Sequence, residues 1–83
     1  MSQGKKITIR IKGFRGITRN IVEIETDEGD SIRRIINLLA TKIGFNIDAS
    51  EILVVCNNTM LYLDDSIPKE CNQIEIYPLA LGG

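Results

Sequence analysis

Few groups in this 83-residue chain could take part in covalent chemistry: Cys56 and Cys71, the adjacent carboxylates Asp64-Asp65, and the terminal carboxyl group behind Gly82-Gly83. Histidine is absent, which removes the commonest general base and the usual zinc ligand sets, so no metal site is expected. The two cysteines are not in CxxC spacing and read as buried or half-buried free thiols, because cytosolic thiols mostly stay reduced. A reactive thiol or a disulfide is the alternative. Asp64-Asp65 could resemble an acid and base pair, but adjacent acids in a polar turn read as a solvated corner, with nothing nearby to orient a substrate. No catalytic residue emerges.

The terminal carboxyl group is different in kind. The chain closes on PLALGG, and Pro78 cannot donate a ladder hydrogen bond, so the residues beyond it are expected to leave the sheet and reach roughly 20 Å. Two glycines cost entropy when ordered and bring no side chain to bury, so the fold gains nothing from them. Without Cβ atoms, however, Gly82-Gly83 can thread a narrow channel and carry a carboxylate into another protein's active site. A carboxylate is a poor electrophile. Adenylation by ATP converts it to an acyl phosphate anhydride that sulfur or nitrogen nucleophiles attack. The chain has no GxxxxGK[ST] loop to hold the phosphates, so no bound cofactor is expected and ATP would be used by a partner enzyme. A frayed end or a cloning remnant is the alternative reading of the two glycines.

The elements that would hold this end are legible as patterns. Ile7, Ile9 and Ile11 alternate with Thr8, Arg10 and Lys12, and Val22, Ile24 and Thr26 alternate with Glu23 and Glu25, which predicts two strands of a hairpin around a turn from Gly13 to Arg19. Placing Lys12 opposite Glu23 would bring Arg10 opposite Glu25, a ladder of opposite charges on the outward face. The segment DSIRRIINLLATKIGF repeats apolar residues at Ile32, Ile35, Ile36, Leu39 and Ile43, the stripe of an amphipathic helix. Asp30 or Ser31 can cap its start, Lys42 suits its last turn, and Gly44 can end it in a left-handed conformation. EILVVC reads as a covered strand, Asn57-Asn58 as a turn, MLYL as a short strand, and QIEIYP as the last strand. The order β, β, α, β, short β, β gives an α+β fold: a β-grasp, with a mixed sheet of four to five strands and one main helix packed across one face. Residues 1–78 form one domain in this reading, and 79–83 form a flexible tail.

Composition excludes several classes. With 43% hydrophobic and 25% charged residues the chain is that of a soluble globular domain. No apolar run approaches the roughly 20 residues of a membrane helix, and the start has no secretory or myristoylation signal, so a cytoplasmic protein with no membrane partner is expected. Six basic residues crowd the first 19 positions, but a net charge of -1 and the facing acids argue against nucleic acid as a partner.

With that strand order and the ending CNNTMLYLDDSIPKECNQIEIYPLALGG, the chain resembles the ubiquitin-like sulfur carriers and modifiers: the molybdopterin-synthase small subunit, thiamine-type sulfur carriers and small archaeal modifier proteins. The resemblance implies that Gly83 is adenylated by an E1-like enzyme. The product is then either a thiocarboxylate that donates sulfur, to an acceptor such as a molybdopterin-synthase large subunit, or an isopeptide bond to a target lysine. Such a protein is a carrier or modifier acted on by enzymes. A β-grasp interaction module that is never activated is a third reading. A short tail makes too small an interface to hold a partner, so the sheet must contribute. Tyr62, Tyr77, Leu79 and Leu81, with Phe14, are the expected partner-binding residues, since aromatic and large apolar side chains are enriched at such contacts. Met60 and Phe45 are assigned to packing.

Overall fold

Alternating isoleucines build the first hairpin. In the structure, a computed structural model that describes residues 4–16, 20–44 and 46–79, strand β1 is Gly4–Ile11 and strand β2 is Ile21–Asp27. Ile7, Ile9, Ile11, Val22, Ile24 and Thr26 are buried on one face, as a period of two requires. The charge ladder needs correcting. Glu23 faces Thr8 and Glu25 faces Lys6, a register shifted by four residues along β1, while Arg10 faces Ile21. An even shift leaves every side chain on its own face, so apolar alternation cannot distinguish the two registers. The connection decides: Ile11 N–H donates to the Asn20 carbonyl at 2.8 Å, closing a wide loop beyond β1.

Helix α1 is Ile32–Ile43. Ser31 is its cap, the hydroxyl accepting from Arg34 N–H at 3.2 Å, and Gly44 ends it at φ 67° with Lys42 in the last turn. Ile32, Ile35, Ile36 and Leu39 are fully buried, each worth roughly 1.5–3 kcal/mol of transfer free energy. Asp30 takes a different part. Its carboxylate accepts from the Thr26 hydroxyl and from Asp27 N–H at 2.9 Å, and pairs with Arg34 at 3.2 Å. The hydrogen bond from Thr26, ahead of the Arg34 charge, holds this carboxyl below its usual range.

A short 3-10 turn, Ala49–Glu51, leads into β3, Ile52–Cys56. Asn57 and Asn58, at φ 52° and 64°, turn the chain into β4, Thr59–Leu61, the paired left-handed conformation of a tight hairpin. Strand β5 is Gln73–Pro78. The sheet order is β2-β1-β5-β3-β4, with β5 parallel to β1 and antiparallel to β3. Between β4 and β5 the chain wraps under the helix start: Ile32 N–H donates to Asp65, Arg33 N–H to Leu63, and Ile67 N–H to Asp30. Lys5 Nζ donates to the carbonyls of Pro68 and Lys69 at 2.9 and 2.8 Å.

The cysteines also depart from expectation. Cys56 and Cys71 are bonded to each other as a disulfide, with Cα atoms 6.3 Å apart, and both are buried. The fold brings them together because the end of β3 lies beside the stretch that enters β5, a proximity that spacing along the chain does not reveal.

Candidate functional site

The last strand carries the tail, so the site begins with what holds that strand. Pro78 stands opposite Ile52 in the β3–β5 ladder. Leu79 N–H donates to the Glu51 carbonyl at 2.9 Å, so the ladder continues one residue past the proline. On the other side Lys12 N–H donates to the Ile76 carbonyl at 3.0 Å, and the chain turns at Gly13 with φ 80°. A Cβ on Gly13 would stand 3.2 Å from Pro78 Cδ, closer than side chains ordinarily approach.

The sheet face away from the helix divides in two. On the β1 side it is mainly polar: Lys6, Arg10 and Lys12 from β1 and its end, Glu23 and Glu25 from β2, and Glu75 from β5, with Ile21, 54% exposed, opposite Arg10. Lys12 Nζ lies 2.9 Å from Glu75 and 5.9 Å from the centroid of the Tyr77 ring. The hydrogen bond between them, more than the bare charges, raises the Lys12 pKa and lowers that of Glu75. On the β3–β4 side the face is apolar. Leu53 stands opposite Tyr77, and Val55 opposite Met60. Met60 is 50% exposed and Tyr62 66%.

Tyr62 and Tyr77 therefore share one apolar patch, and Leu79, 43% exposed, lies at its end of β5. Phe14 does not join them. It is half-buried against the core and lines a separate cleft of about 280 Å³ with Ile47, Ile52, Pro78 and Leu79. Leu81, Gly82 and Gly83 lie outside the described residues, as does Phe45. Met60 is not a packing residue as expected. Leu61 and Leu63 pack against the core, so alternation turns Met60 and Tyr62 outward. That signal was present in MLYL, and with Leu53 and Val55 it completes the patch. The acids behave as a corner: Asp64 pairs with Arg33 at 3.2 Å, and Asp65 accepts from Tyr62 N–H at 3.0 Å. No cluster of potential metal ligands occurs among the described residues, and no helix among them is long and apolar enough to cross a membrane.

No protein-family model matches the sequence, and no curated protein matches it. Solved structures do. SAMP1 from Haloferax volcanii superposes with a TM-score of 0.72 at 11% identity, over 94% of this chain and 99% of that one. The N-terminal ubiquitin-like domain of the 4931431F19Rik protein superposes with a TM-score of 0.68 at 11% identity, over 100% of this chain and 82% of that one. At such identities the likeness is one of fold. Five strands in the order β2-β1-β5-β3-β4, one α-helix across a single face among the described residues, and these two superpositions give the chain the ubiquitin-like β-grasp fold.

Proposed function

We propose that the protein is a ubiquitin-like carrier whose Gly83 carboxylate is activated by an E1-like enzyme. The carboxylate attacks the α-phosphorus of ATP, pyrophosphate leaves, and hydrosulfide then displaces AMP from the acyl carbon, which leaves a thiocarboxylate. The eventual thiocarboxylate donates sulfur to an acceptor in molybdopterin, thiamine or tRNA thiolation. The chemistry is done to this protein by cytoplasmic partner enzymes, and in this reading the chain itself binds neither a cofactor nor nucleic acid. The observation that supports this most is the apolar patch of Leu53, Val55, Met60, Tyr62 and Tyr77, which gives a partner a holding surface on β3 and β4 that reaches the strand leading to the tail. Aromatic anchors in such patches carry most of the binding energy.

The likeness to SAMP1 favours a second reading, in which the activated carboxyl is transferred to the amine of a target lysine. Incubation with an E1-like enzyme, ATP and a sulfur donor, followed by mass spectrometry, separates the two. Replacement of one carboxylate oxygen by sulfur is expected for the carrier, and conjugates on target lysines in cells for the modifier. Neither product, with partner binding intact after deletion of Gly82-Gly83, would leave only a non-conjugating module.

A further inference from the structure

We propose that Gly13 and Glu51 are positioning residues that fix the point from which the tail is presented. The proposal rests on the function inferred above. Three separate elements converge on the end of β5. From the β1–β2 connection, Gly13 at φ 80° leaves room for the Pro78 ring, where an added Cβ would lie 3.2 Å from Cδ and 3.4 Å from Cγ. From the 3-10 turn, the Glu51 carbonyl accepts from Leu79 N–H at 2.9 Å. The turn is itself held: the Asp48 carboxylate accepts from Ser50 N–H at 3.0 Å and from the Ser50 hydroxyl at 2.6 Å. From β3, Ile52 pairs with Pro78.

Pro78 is thus flanked by Gly13 and Ile52, and Leu79 is tied through its amide to Glu51, which leaves four residues, Ala80 to Gly83, beyond the last held position. Four residues reach at most roughly 13–14 Å when extended. A partner docked on the sheet must therefore open its active site within that distance of Leu79. An origin that wanders by even an ångström would misplace the carboxylate against ATP, and misplacement of that order can cost about 10²-fold in rate.

Gly29 supplies the control. It has φ 88°, nearly that of Gly13, yet an added Cβ there meets nothing within 4 Å. Gly13→Ala and Gly29→Ala carry the same left-handed strain, and only the first pushes on Pro78. Hydrogen exchange read residue by residue is expected to show the Leu79 amide slowed about tenfold or more in the native protein, still slowed in Gly29→Ala, and released in Gly13→Ala. Leu79→Pro, which deletes the donor, is compared with Leu79→Ala, which keeps it.

In ATP–pyrophosphate exchange with a purified E1-like enzyme, Gly13→Ala and Leu79→Pro are expected to lower kcat about tenfold at little change in KM. Gly29→Ala should match the native protein, and Leu79→Ala should change KM alone. An unprotected Leu79 amide, or one still protected in Gly13→Ala, overturns the clamp whatever the enzyme does. Equal kcat for the two glycine variants overturns its positioning role. If the native protein shows no exchange at all, the functional reading fails, and the amide measurements still decide whether the clamp exists.

Discussion

The two hairpins of this fold are built from the same alternation and present opposite surfaces. In the first, β1 and β2 bury every isoleucine but Ile21 and turn lysines, arginines and glutamates outward, a solvated face on which cross-strand charge pairs contribute little. In the second, β3 and β4 bury Val54 and Cys56 and turn Leu53, Val55, Met60 and Tyr62 outward. The first hairpin leaves one large apolar side chain outward, Ile21. The second has more apolar surface than the helix covers, and the excess lies beside β5, where the tail begins. An exposed apolar patch of this kind is what the proposed docking of a partner requires.

The contrast presumes a common core, and removing that core breaks both halves at once. Leu39→Ala, at a fully buried position, is expected to cost about 2–5 kcal/mol in chemical denaturation. Reduction of Cys56–Cys71, or replacement of both by serine, removes a cross-link that ties the end of β3 to the approach to β5. Closing a loop of 15 residues is worth about 3 kcal/mol by chain entropy, so reductant should lower the unfolding midpoint of the native protein and leave the double variant unmoved.

Tyr62→Ser and Met60→Ser sharpen the comparison. They should weaken partner binding by about tenfold or more, read by calorimetry with the activating enzyme, while stability moves by less than about 0.5 kcal/mol. Lys6→Gln and Glu25→Gln on the other half should alter neither measurably. The smallest effect is one of pH. The Asp30 carboxyl is held below its usual range by Thr26, so its stabilisation is present above the unfolded pKa and is lost as pH falls through the lower folded value. Asp30→Asn should flatten that acid limb below about pH 4 and leave neutral-pH titrations of the second hairpin unchanged.

Much of this was readable from residue order because local signals agree with tertiary need. The stripe through Ile32, Ile36 and Leu39, the cap at Ser31, the left-handed Gly44 and the Asn57-Asn58 turn each specify their own geometry within a few residues. Where the reading failed, the deciding contact was remote. The β1–β2 register depends on a loop closing at Asn20, and either register buries the same isoleucines. The disulfide depends on β3 and β5 being neighbours. The close fit of Gly13 under Pro78 joins residues from opposite ends of the chain. Met60 is the exception, a local alternation that was available and was outweighed by the general preference of methionine for interiors.

The placement of β5 between β1 and β3 has a consequence for biosynthesis. A nascent chain that has emerged only as far as Asn72 owns two hairpins and a helix but lacks the central strand on which the rest assemble. Completion of the sheet waits for β5 to clear the ribosome. A product truncated before β5 would lack the strand that joins the two hairpins and stay open to proteolysis.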